Sequence, residues 1–175
     1  MTAISPMVSL SAVNGTNAAR AKVSDALNFS RPAIINVRRA RHDDAETIAA
    51  LMAQLGYDVP APAIAARLRR LGERRDVFVA TDGERVVGWA ALLVDEPFVD
   101  GFGAFLEGLV VDQTARSRGI GIALLEAVEA RARERGCAEI RVQSNVLRER
   151  AHSFYERNGY LKVKAQYQLR KSLSQ

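Results

Sequence analysis

Cysteine and histidine are scarce in this 175-residue sequence, and each scarcity excludes a class of site. The one cysteine, Cys137, has no partner for a disulfide within the chain, which fits a reducing compartment, so we expect a cytoplasmic protein. The two histidines, His42 and His152, lie far apart without a flanking cluster of ligand residues, so we expect no metal site. No apolar run approaches the roughly 18 residues of a membrane-spanning helix, so we expect no membrane partner.

Long basic runs are also missing, although the net charge is +5. The dispersed arginines favour a solvated surface and an anionic ligand over a nucleic-acid partner. The length suits one domain with a proper core. The first 33 residues are rich in Ala, Ser, Asn and Thr and have no sustained period, which predicts a flexible N-terminal arm over residues 1–33, with at most a helical turn near residues 22–27. A single domain is predicted over residues 34–175.

The most informative stretch covers residues 101–135. Residues 105–111 are nearly all apolar and predict a strand, which one acid, Glu107, interrupts. Residues 112–117 are polar and predict a turn. From Ile120 onward the apolar residues recur at helical spacing, which predicts a long amphipathic helix beside two closely spaced glycines, Gly119 and Gly121.

The corner between this strand and this helix has the properties of an anion site. The first amides of a helix lack intrahelical acceptors, and the helix dipole adds partial positive charge there. Gly119 and Gly121 let a ligand approach the backbone, and Arg116 and Arg118 add positive charge. The corner is therefore predicted to bind a phosphate or pyrophosphate group.

Three rival roles for the two glycines fit the sequence less well. A Walker loop continues with Lys and Ser or Thr, whereas Gly121 is followed by Ile122 and Ala123. A dinucleotide fingerprint needs a small residue where Leu124 stands, and an acid near the end of the next strand, which this sequence does not offer. Glycines that only let a helix pack closely on a sheet would leave the two arginines without a role.

The remaining segments predict a mixed domain of strands and helices. Six elements are predicted outside the central stretch: strands at 34–39, 77–81, 85–94 and 137–144, and helices at 42–56 and 63–71. A last helix is expected to have Leu147, Ala151, Phe154 and Tyr155 on its apolar face and to end at Gly159. After it, only residues 165–171 have a good strand pattern.

Four ordered motifs make residues 34–172 resemble the GNAT family of N-acetyltransferases. Arg116-x-x-Gly119-x-Gly121 after a Leu-Val-Val strand resembles the family's acetyl-CoA motif. Residues 107–112 and 136–145 resemble its fourth and fifth strands, and residues 150–160 resemble its Ala-His-x-Phe-Tyr helix. The resemblance implies an α/β (α+β) fold: a mixed, mostly antiparallel central sheet of six to seven strands, with helices on both faces and a splayed central strand pair.

The resemblance also implies a reaction, in which an amine attacks acetyl-CoA directly in a ternary complex. An alkyl amine has a pKa near 10.4, so about one molecule in 10³ is neutral at pH 7 and a base must remove a proton. Glu107 is the candidate base, because it is the only ionisable residue between Gly101 and Val111. It would act directly or through a water molecule. Alternatively, it only binds the ammonium group of the acceptor.

Tyr155 is the candidate general acid, since its hydroxyl would protonate the departing thiolate. The alternative is that it only orders the thiol end of the cosubstrate. His152, three residues earlier on the helix, is expected to hold a strand end by a hydrogen bond and not to act as a base. The oxyanion is expected at the backbone N–H of Val110 or Val111.

By the same resemblance, backbone groups of the central strand bond pantetheine, the Asn145 side chain adds another bond, and the corner holds the pyrophosphate. The implied acetyl-CoA contacts are Leu109, Val110, Val111, Arg116, Ser117, Arg118, Gly119, Ile120, Gly121, Ile122, Ala123, Asn145 and Tyr155. No metal is implied.

The acceptor is the least determined part of this interpretation. The loop over residues 56–62 is the candidate acceptor contact, and Leu55-Gly56-Tyr57 resembles small-molecule members of the family, so we expect a small-molecule amine. A non-catalytic acetyl-CoA sensor is the alternative function, and a nucleotide- or nucleic-acid-binding domain of another class is a third. A homodimer is one option, because the short tail leaves the seventh strand either abbreviated or completed by another subunit.

Overall fold

The structure, a computed structural model, describes residues 35–173. Three predictions lie outside the described residues: the arm over residues 1–33, its helical turn near residues 22–27, and Ile34 as the start of the first strand.

Five strands form one mixed sheet in the described part of the chain. They are β1 (Ile35–Arg39), β2 (Arg75–Asp82), β3 (Arg85–Asp95), β4 (Gly103–Val111) and β5 (Ile140–Val142). Their order in the sheet follows the sequence, with antiparallel pairs from β1 to β4 and a parallel pair between β4 and β5. Gly83 opens the two-residue loop between β2 and β3 with a positive φ of 61°, a conformation that favours glycine in a hairpin loop.

Helices cover both faces of the sheet, as predicted. The four helices are α1 (Ala45–Ala53), α2 (Ala61–Arg69), α3 (Ile120–Glu134) and α4 (Glu149–Arg157). On one face, Ile48 of α1 and Ile64 of α2 pack with Trp89 in one buried cluster. On the other face, Leu124 and Val128 of α3 belong to a second cluster. Because both faces are buried, β3 has an almost continuous run of buried residues instead of an alternating pattern.

The prediction of six to seven strands is wrong for the described residues. The chain over residues 165–171, expected to be a strand, has no secondary structure and is exposed. The strand predicted at residues 137–144 is shortened to β5. Cys137 instead completes the end of α3, where its N–H donates to the Ala132 carbonyl and Gly136 adopts a φ of 77°. These bonds are those of a Schellman motif, which keeps Cys137 out of the sheet.

The placement of Leu147 on the apolar face of α4 is also wrong, because this residue precedes the helix and is exposed. Phe154 and Tyr155 do pack against the core. In the described residues, no helix combines the length and the apolar character that crossing a membrane requires.

Candidate active site

A gap opens between β4 and β5 because the two strands pair only briefly. Ala104 to Leu106 pair with Ile140 to Val142, and β5 then ends. From residue 107 to residue 111, β4 continues with no strand on that side in the described part of the chain. The predicted splayed strand pair is therefore confirmed, and it leaves one edge of β4 free.

Alternation along β4 determines which residues turn their backbone groups into the gap. The Asp112 N–H donates to the Val87 carbonyl across the β3–β4 pair. Since alternate residues of a strand bond to the same neighbour, Val110 also faces β3, and Leu109 and Val111 face the gap. The structure thus places two of the three expected strand contacts at the free edge. Val110 is not one of them, because its backbone groups face β3. Its side chain is buried in the α1–α2 cluster.

The corner of residues 112–122, at the end of this free edge, presents a run of unsatisfied backbone amides. Asp112 accepts hydrogen bonds from the N–H and hydroxyl of Thr114, which fixes the turn and holds the pKa of its carboxyl below the usual range. Ser117 and Gly119 then adopt left-handed φ values of 63° and 78°. The first intrahelical bond of α3 is from the Ala123 N–H, so the amides just before it point outward. Such a concave run of N–H groups is an anion-binding arrangement.

Two arginines lie at the rim of this corner and are fixed by the chain itself. The Nε of Arg116 donates to the Val111 carbonyl at 3.3 Å, and Arg118 pairs with Asp82 at 2.8 Å. Both guanidinium groups are exposed, as ligand contacts need to be. Ile120, in contrast, has its side chain buried in the core, so only its amide can serve a ligand.

Different structural constraints favour glycine at the two positions of the corner, Gly119 and Gly121. A side chain at Gly119 would meet open space, and what makes glycine favourable there is its positive φ. A Cβ at Gly121 would lie 3.3 Å from the ring of Phe154. Close packing between helix and neighbour therefore accounts for Gly121, and the ligand-facing role rests on Gly119.

A β-bulge sets the direction of Glu107. In the β3–β4 register, Ala91 pairs with Gly108 and Leu92 pairs with Leu106, so no residue of β3 pairs with Glu107. The extra residue puts Glu107 and Gly108 on the same face of the sheet, that of α1 and α2. The carboxylate is thereby directed out of the strand at the point where β4 leaves β5.

Arg75 holds the Glu107 carboxylate by two hydrogen bonds. Its Nε and Nη2 donate at 3.0 and 3.1 Å to the two carboxylate oxygens, and these bonds raise the pKa of Arg75. The Glu107 side chain remains 34% exposed, so a ligand can still reach it. Sequence analysis missed Arg75, because no local pattern links residues 32 positions apart that meet across β3.

The indole ring of Trp89 lies directly against Gly108. A Cβ on Gly108 would lie 2.7 Å from the indole ring, so only glycine fits there. The Trp89 side chain is buried, and its Nε1 has no hydrogen-bond partner in the described structure.

On the other side of the corner, Tyr155 of α4 packs against Phe154 and Tyr160, with ring centroids 5.3 and 5.4 Å away. Burial raises the pKa of the Tyr155 phenol to about 12, although the nearby charge of Arg148 opposes this effect. Tyr155 is therefore a neutral hydroxyl at any working pH, and it can donate a hydrogen bond.

His152 and Asn145 organise the loop that follows β5. A ring nitrogen of His152 lies 3.0 Å from the Asn145 carbonyl oxygen, which matches the positioning role predicted for it. The Asn145 side-chain oxygen accepts from the Leu147 N–H at 2.9 Å and so forms a local turn. Its side-chain NH2 group has no hydrogen-bond partner within residues 35–173 and is the part available to a ligand.

The chain between α1 and α2 is attached to both sides of the gap. Gln54 accepts from the Gln113 N–H at 3.1 Å, and the Leu55 carbonyl accepts from Arg148 at 3.2 Å. Residues 56–62, the candidate acceptor loop, thus start beside the corner and beside α4. These contacts also reveal Arg148, which the sequence analysis did not select.

A cavity of about 510 Å³ lies near the C-terminal end of α3, and Arg75 is among the residues that line it. Its arginines are already paired. Arg39 and Arg131 bond the two oxygens of buried Asp76, and Arg135 donates to the Glu73 carbonyl. We interpret this cluster as a structural ion-pair network.

Comparison with known proteins gives this arrangement a family context. A family model described as the Acetyltransferase (GNAT) family matches residues 43–160. The solved structure of the aminoglycoside N-acetyltransferase AAC(6')-Iy in complex with CoA has a TM-score of 0.73 with this chain at 22% identity, and the match covers 81% of this chain and 97% of that one. At that identity the likeness shows a shared fold.

Two relatives are similar in sequence. The aminoglycoside N(6')-acetyltransferase type 1 of Klebsiella aerogenes is 36% identical over 91 residues, which are 50% of this chain and 59% of that protein. The glucosamine 6-phosphate N-acetyltransferase of Trypanosoma brucei brucei is 33% identical over 99 residues, which are 55% of this chain and 65% of that protein. The matched part of this chain spans less than two thirds of either relative.

Proposed function

Because the chain belongs to the GNAT acetyltransferase family, we propose that it is an enzyme that transfers the acetyl group of acetyl-CoA to a primary amine of a small molecule. The observation that carries the proposal is the free edge of β4. It begins beside Glu107 and ends at the amide-rich corner before α3, where α4, the helix of Tyr155, packs through Phe154 against Gly121.

The residues at this edge fit acetyl-CoA. The outward N–H and carbonyl of Leu109 and the carbonyl of Val111 suit the amides of pantetheine, which would lie along β4 as a further strand, and the Val111 N–H stays available for the reacting carbonyl. The corner from Arg116 to Ala123 offers amides and two fixed guanidinium groups to the pyrophosphate. When bound, acetyl-CoA supplies the activated acetyl group. The chain supplies binding, orientation and proton handling.

Glu107 receives the proton of the acceptor's ammonium group, directly or through one water molecule. Its bulge and its Arg75 contacts give the carboxylate one orientation, which a proton acceptor requires. The narrower alternative is that Glu107 only binds the ammonium group. The Val111 N–H is the donor proposed for the oxyanion, because the Val110 amide faces β3.

Tyr155 acts on the departing sulfur by donating a hydrogen bond. A thiol has an ordinary pKa near 8.5, so it is a stronger acid than a phenol with a pKa of about 12. Complete proton transfer from Tyr155 is therefore uphill, whereas hydrogen-bond donation is available at every working pH.

The acceptor class is supported by the two relatives, whose names specify an aminoglycoside and glucosamine 6-phosphate. A small-molecule amine is the substrate class that both share. The alternative function is a sensor that binds acetyl-CoA without turnover. A cytoplasmic location and the absence of a nucleic-acid partner stay predictions from composition.

The first test is a calorimetric titration with acetyl-CoA, followed by a thiol-release screen over small amines and lysine peptides in the same buffer. We expect binding together with thiol release on a small amine. Binding without release on any acceptor supports the sensor, and turnover of peptides alone contradicts the substrate class. A failure to bind acetyl-CoA refutes the proposal at its base.

The second test replaces Tyr155 by Phe. We expect kcat to fall about 10²-fold with the acetyl-CoA Kd within about twofold, because the hydroxyl acts only as negative charge develops on sulfur. Tyr160→Phe is the matched control, since Tyr160 is also partly buried and its hydroxyl bonds Glu129. An unchanged kcat for Tyr155→Phe, with acetyl transfer shown to be rate-limiting, excludes the role.

A further inference from the structure

The cavity near the C-terminal end of α3 is lined by four arginines that come from two strands and a helix. Arg39 ends β1 and Arg75 opens β2. Arg131 lies in the last turn of α3, and Arg135 caps that helix. Basic residues suit the C-terminal end of a helix, where the dipole is negative, but this reason does not apply to the two strand arginines. Their convergence with the helix pair makes the cavity a basic site.

A buried carboxylate fixes two of these arginines. Asp76 is only 4% exposed, and its two oxygens lie 2.7 Å from Nη2 of Arg39 and 2.8 Å from Nε of Arg131. A buried carboxylate needs such partners to stay charged. The pairs also hold both guanidinium groups in place, so a ligand that binds them loses less free energy in ordering the site.

This ion-pair network leaves some arginine donors without a protein partner. Arg131 uses its Nη1 on Glu134 at 3.0 Å, and its Nη2 has no hydrogen-bond partner within residues 35–173. Arg135 donates through Nη2 to the backbone carbonyl of Glu73, a neutral acceptor. Within the same residues, no ion pair therefore offsets the charge of Arg135. Guanidinium groups with free donors bind phosphate oxygens well, because their planar fork matches the geometry of the anion.

The size and lining of the cavity fit a small organic molecule better than a lone ion. Its volume of about 510 Å³ lies within the range of roughly 300–1,000 Å³ that is typical of small-molecule sites. Ala40, Leu71 and Val77 add apolar surface that a short carbon skeleton can contact. Two acids, Glu73 and Asp76, also line the cavity, but the arginines outnumber them. A phosphate monoester, with nearly two negative charges and three acceptor oxygens, matches this excess of donors.

We propose that this cavity is a second binding site, for a small organic molecule that carries a phosphate group. Arg75 lines the cavity and also holds Glu107, so one side chain links this site to the acceptor half of the candidate active site. The phosphate belongs either to a separate effector or to the far end of an acceptor whose amine lies at Glu107. The distinction between these two sources rests on the proposed function, whereas binding of the anion does not.

The test titrates the full-length, isotope-labelled chain with glycerol 3-phosphate and follows backbone amides by NMR at constant ionic strength. We expect amides of residues 71–77 and 131–136 to shift with a Kd of about 1 mM or tighter. The corner of residues 112–122 also binds anions, and its amides report that event separately. Shifts confined to the corner, or no shifts at all, overturn the proposal.

Two variants at the end of α3 locate the anion. Arg135→Gln removes one charge from the cavity wall. Arg133→Gln removes the same charge from a neighbour that pairs with Glu129 at 2.9 Å and does not line the cavity. We expect the Kd of glycerol 3-phosphate to rise about tenfold or more for Arg135→Gln and to stay within about twofold for Arg133→Gln. Equal weakening in both variants would mean unspecific charge attraction and overturns the proposal.

Steady-state kinetics distinguish the two sources of the phosphate. Glycerol 3-phosphate is added with acetyl-CoA saturating, so that the corner is occupied, and the amine is varied. A higher KM for the amine with unchanged kcat assigns the phosphate to the acceptor, and a lower kcat with unchanged KM assigns it to an effector that acts through Arg75. Either effect should vanish in Arg135→Gln. If the chain acetylates no amine, the NMR titration still decides whether the site exists, which separates this failure from that of the proposed function.

Discussion

The two halves of the candidate site are built from different parts of the chain. The cofactor half, which consists of the free edge of β4 and the corner of residues 112–122, presents mostly backbone groups directed by the positive φ of Ser117 and Gly119. The acceptor half depends on side chains from separate segments, above all Glu107 and its partner Arg75. In the cofactor half most contacts come from backbone groups, so substitutions weaken binding mainly by changing the backbone. In the acceptor half the loss of one functional group is enough to slow the reaction.

Glu107→Gln changes the acceptor half alone, and we expect it to have the largest effect on activity. Loss of the carboxylate removes the proton acceptor without touching the corner. We expect kcat/KM for the amine to fall about 10²-fold or more near pH 7 and to recover partly as the pH approaches the pKa of the amine. The acetyl-CoA Kd is expected to stay within about twofold.

Steady-state kinetics as a function of pH, with calorimetry of acetyl-CoA binding, check this prediction. A rise in KM with unchanged kcat would leave Glu107 as a binding group for the ammonium. A pH–rate profile identical to that of the wild type would exclude it as the base.

The cofactor half is tested by Gly119→Ala, with Gly136→Ala as the control at the other end of α3. Both glycines have nearly the same positive φ, 78° and 77°, and both have open space around a built Cβ. Each substitution introduces about 1–2 kcal/mol of backbone strain. Only strain at residue 119 can redirect the amides of the corner, so we expect the acetyl-CoA Kd to rise about tenfold for that variant alone.

Calorimetry measures the two Kd values, and thermal unfolding shows that both variants lose similar stability. Equal Kd values for Gly119→Ala and the wild type would mean that side chains bind the pyrophosphate and the amides do not.

The same contrast explains what could be predicted from the sequence. The corner was predictable, because glycine spacing and a helix start are local signals, and α3 begins at Ile120 as expected. Arg75 was not, because its partner lies on the second strand along in the sheet and neither residue carries a local sign of the other. The close packing of Phe154 on Gly121 was likewise hidden, since it depends on how α4 meets α3.

The extent of the sheet was overestimated for a related reason. Apolar residues from Cys137 onward look like one strand, yet the Schellman motif of α3 takes the first of them and the divergence of β4 ends the pairing after Val142. Residues 165–171 have a strand pattern but no strand partner among residues 35–173, and a pattern reports the propensity of a segment without its partner.

Arg75→Gln examines the acceptor half from the other side of the ion pair. Without its two bonds Glu107 can rotate, so we expect kcat/KM for the amine to fall about tenfold through loss of orientation. Arg74→Gln is the matched control, because this neighbour pairs with Asp95 at 2.6 Å. Exposed ion pairs contribute little to stability, so both variants should unfold near the wild-type temperature.

Kinetics on the amine acceptor identified in the screen, with acetyl-CoA saturating, provide the measurement. If Arg74→Gln and Arg75→Gln behave alike, the Glu107–Arg75 contact has no special role. If Arg75→Gln is faster than the wild type, the guanidinium competes with the acceptor for the carboxylate.

The smallest effect is expected within the cofactor half itself, from Gly121→Ala. The added methyl group would lie 3.3 Å from the Phe154 ring, so the variant should lose about 1 kcal/mol of stability through overpacking. The acetyl-CoA Kd should change by less than about twofold. Combining it with Phe154→Leu should recover part of the loss, which a double-mutant cycle in urea measures as a coupling energy. Full stability together with a tenfold weaker Kd would reverse this assignment and place Gly121, with Gly119, among the residues that admit the cosubstrate.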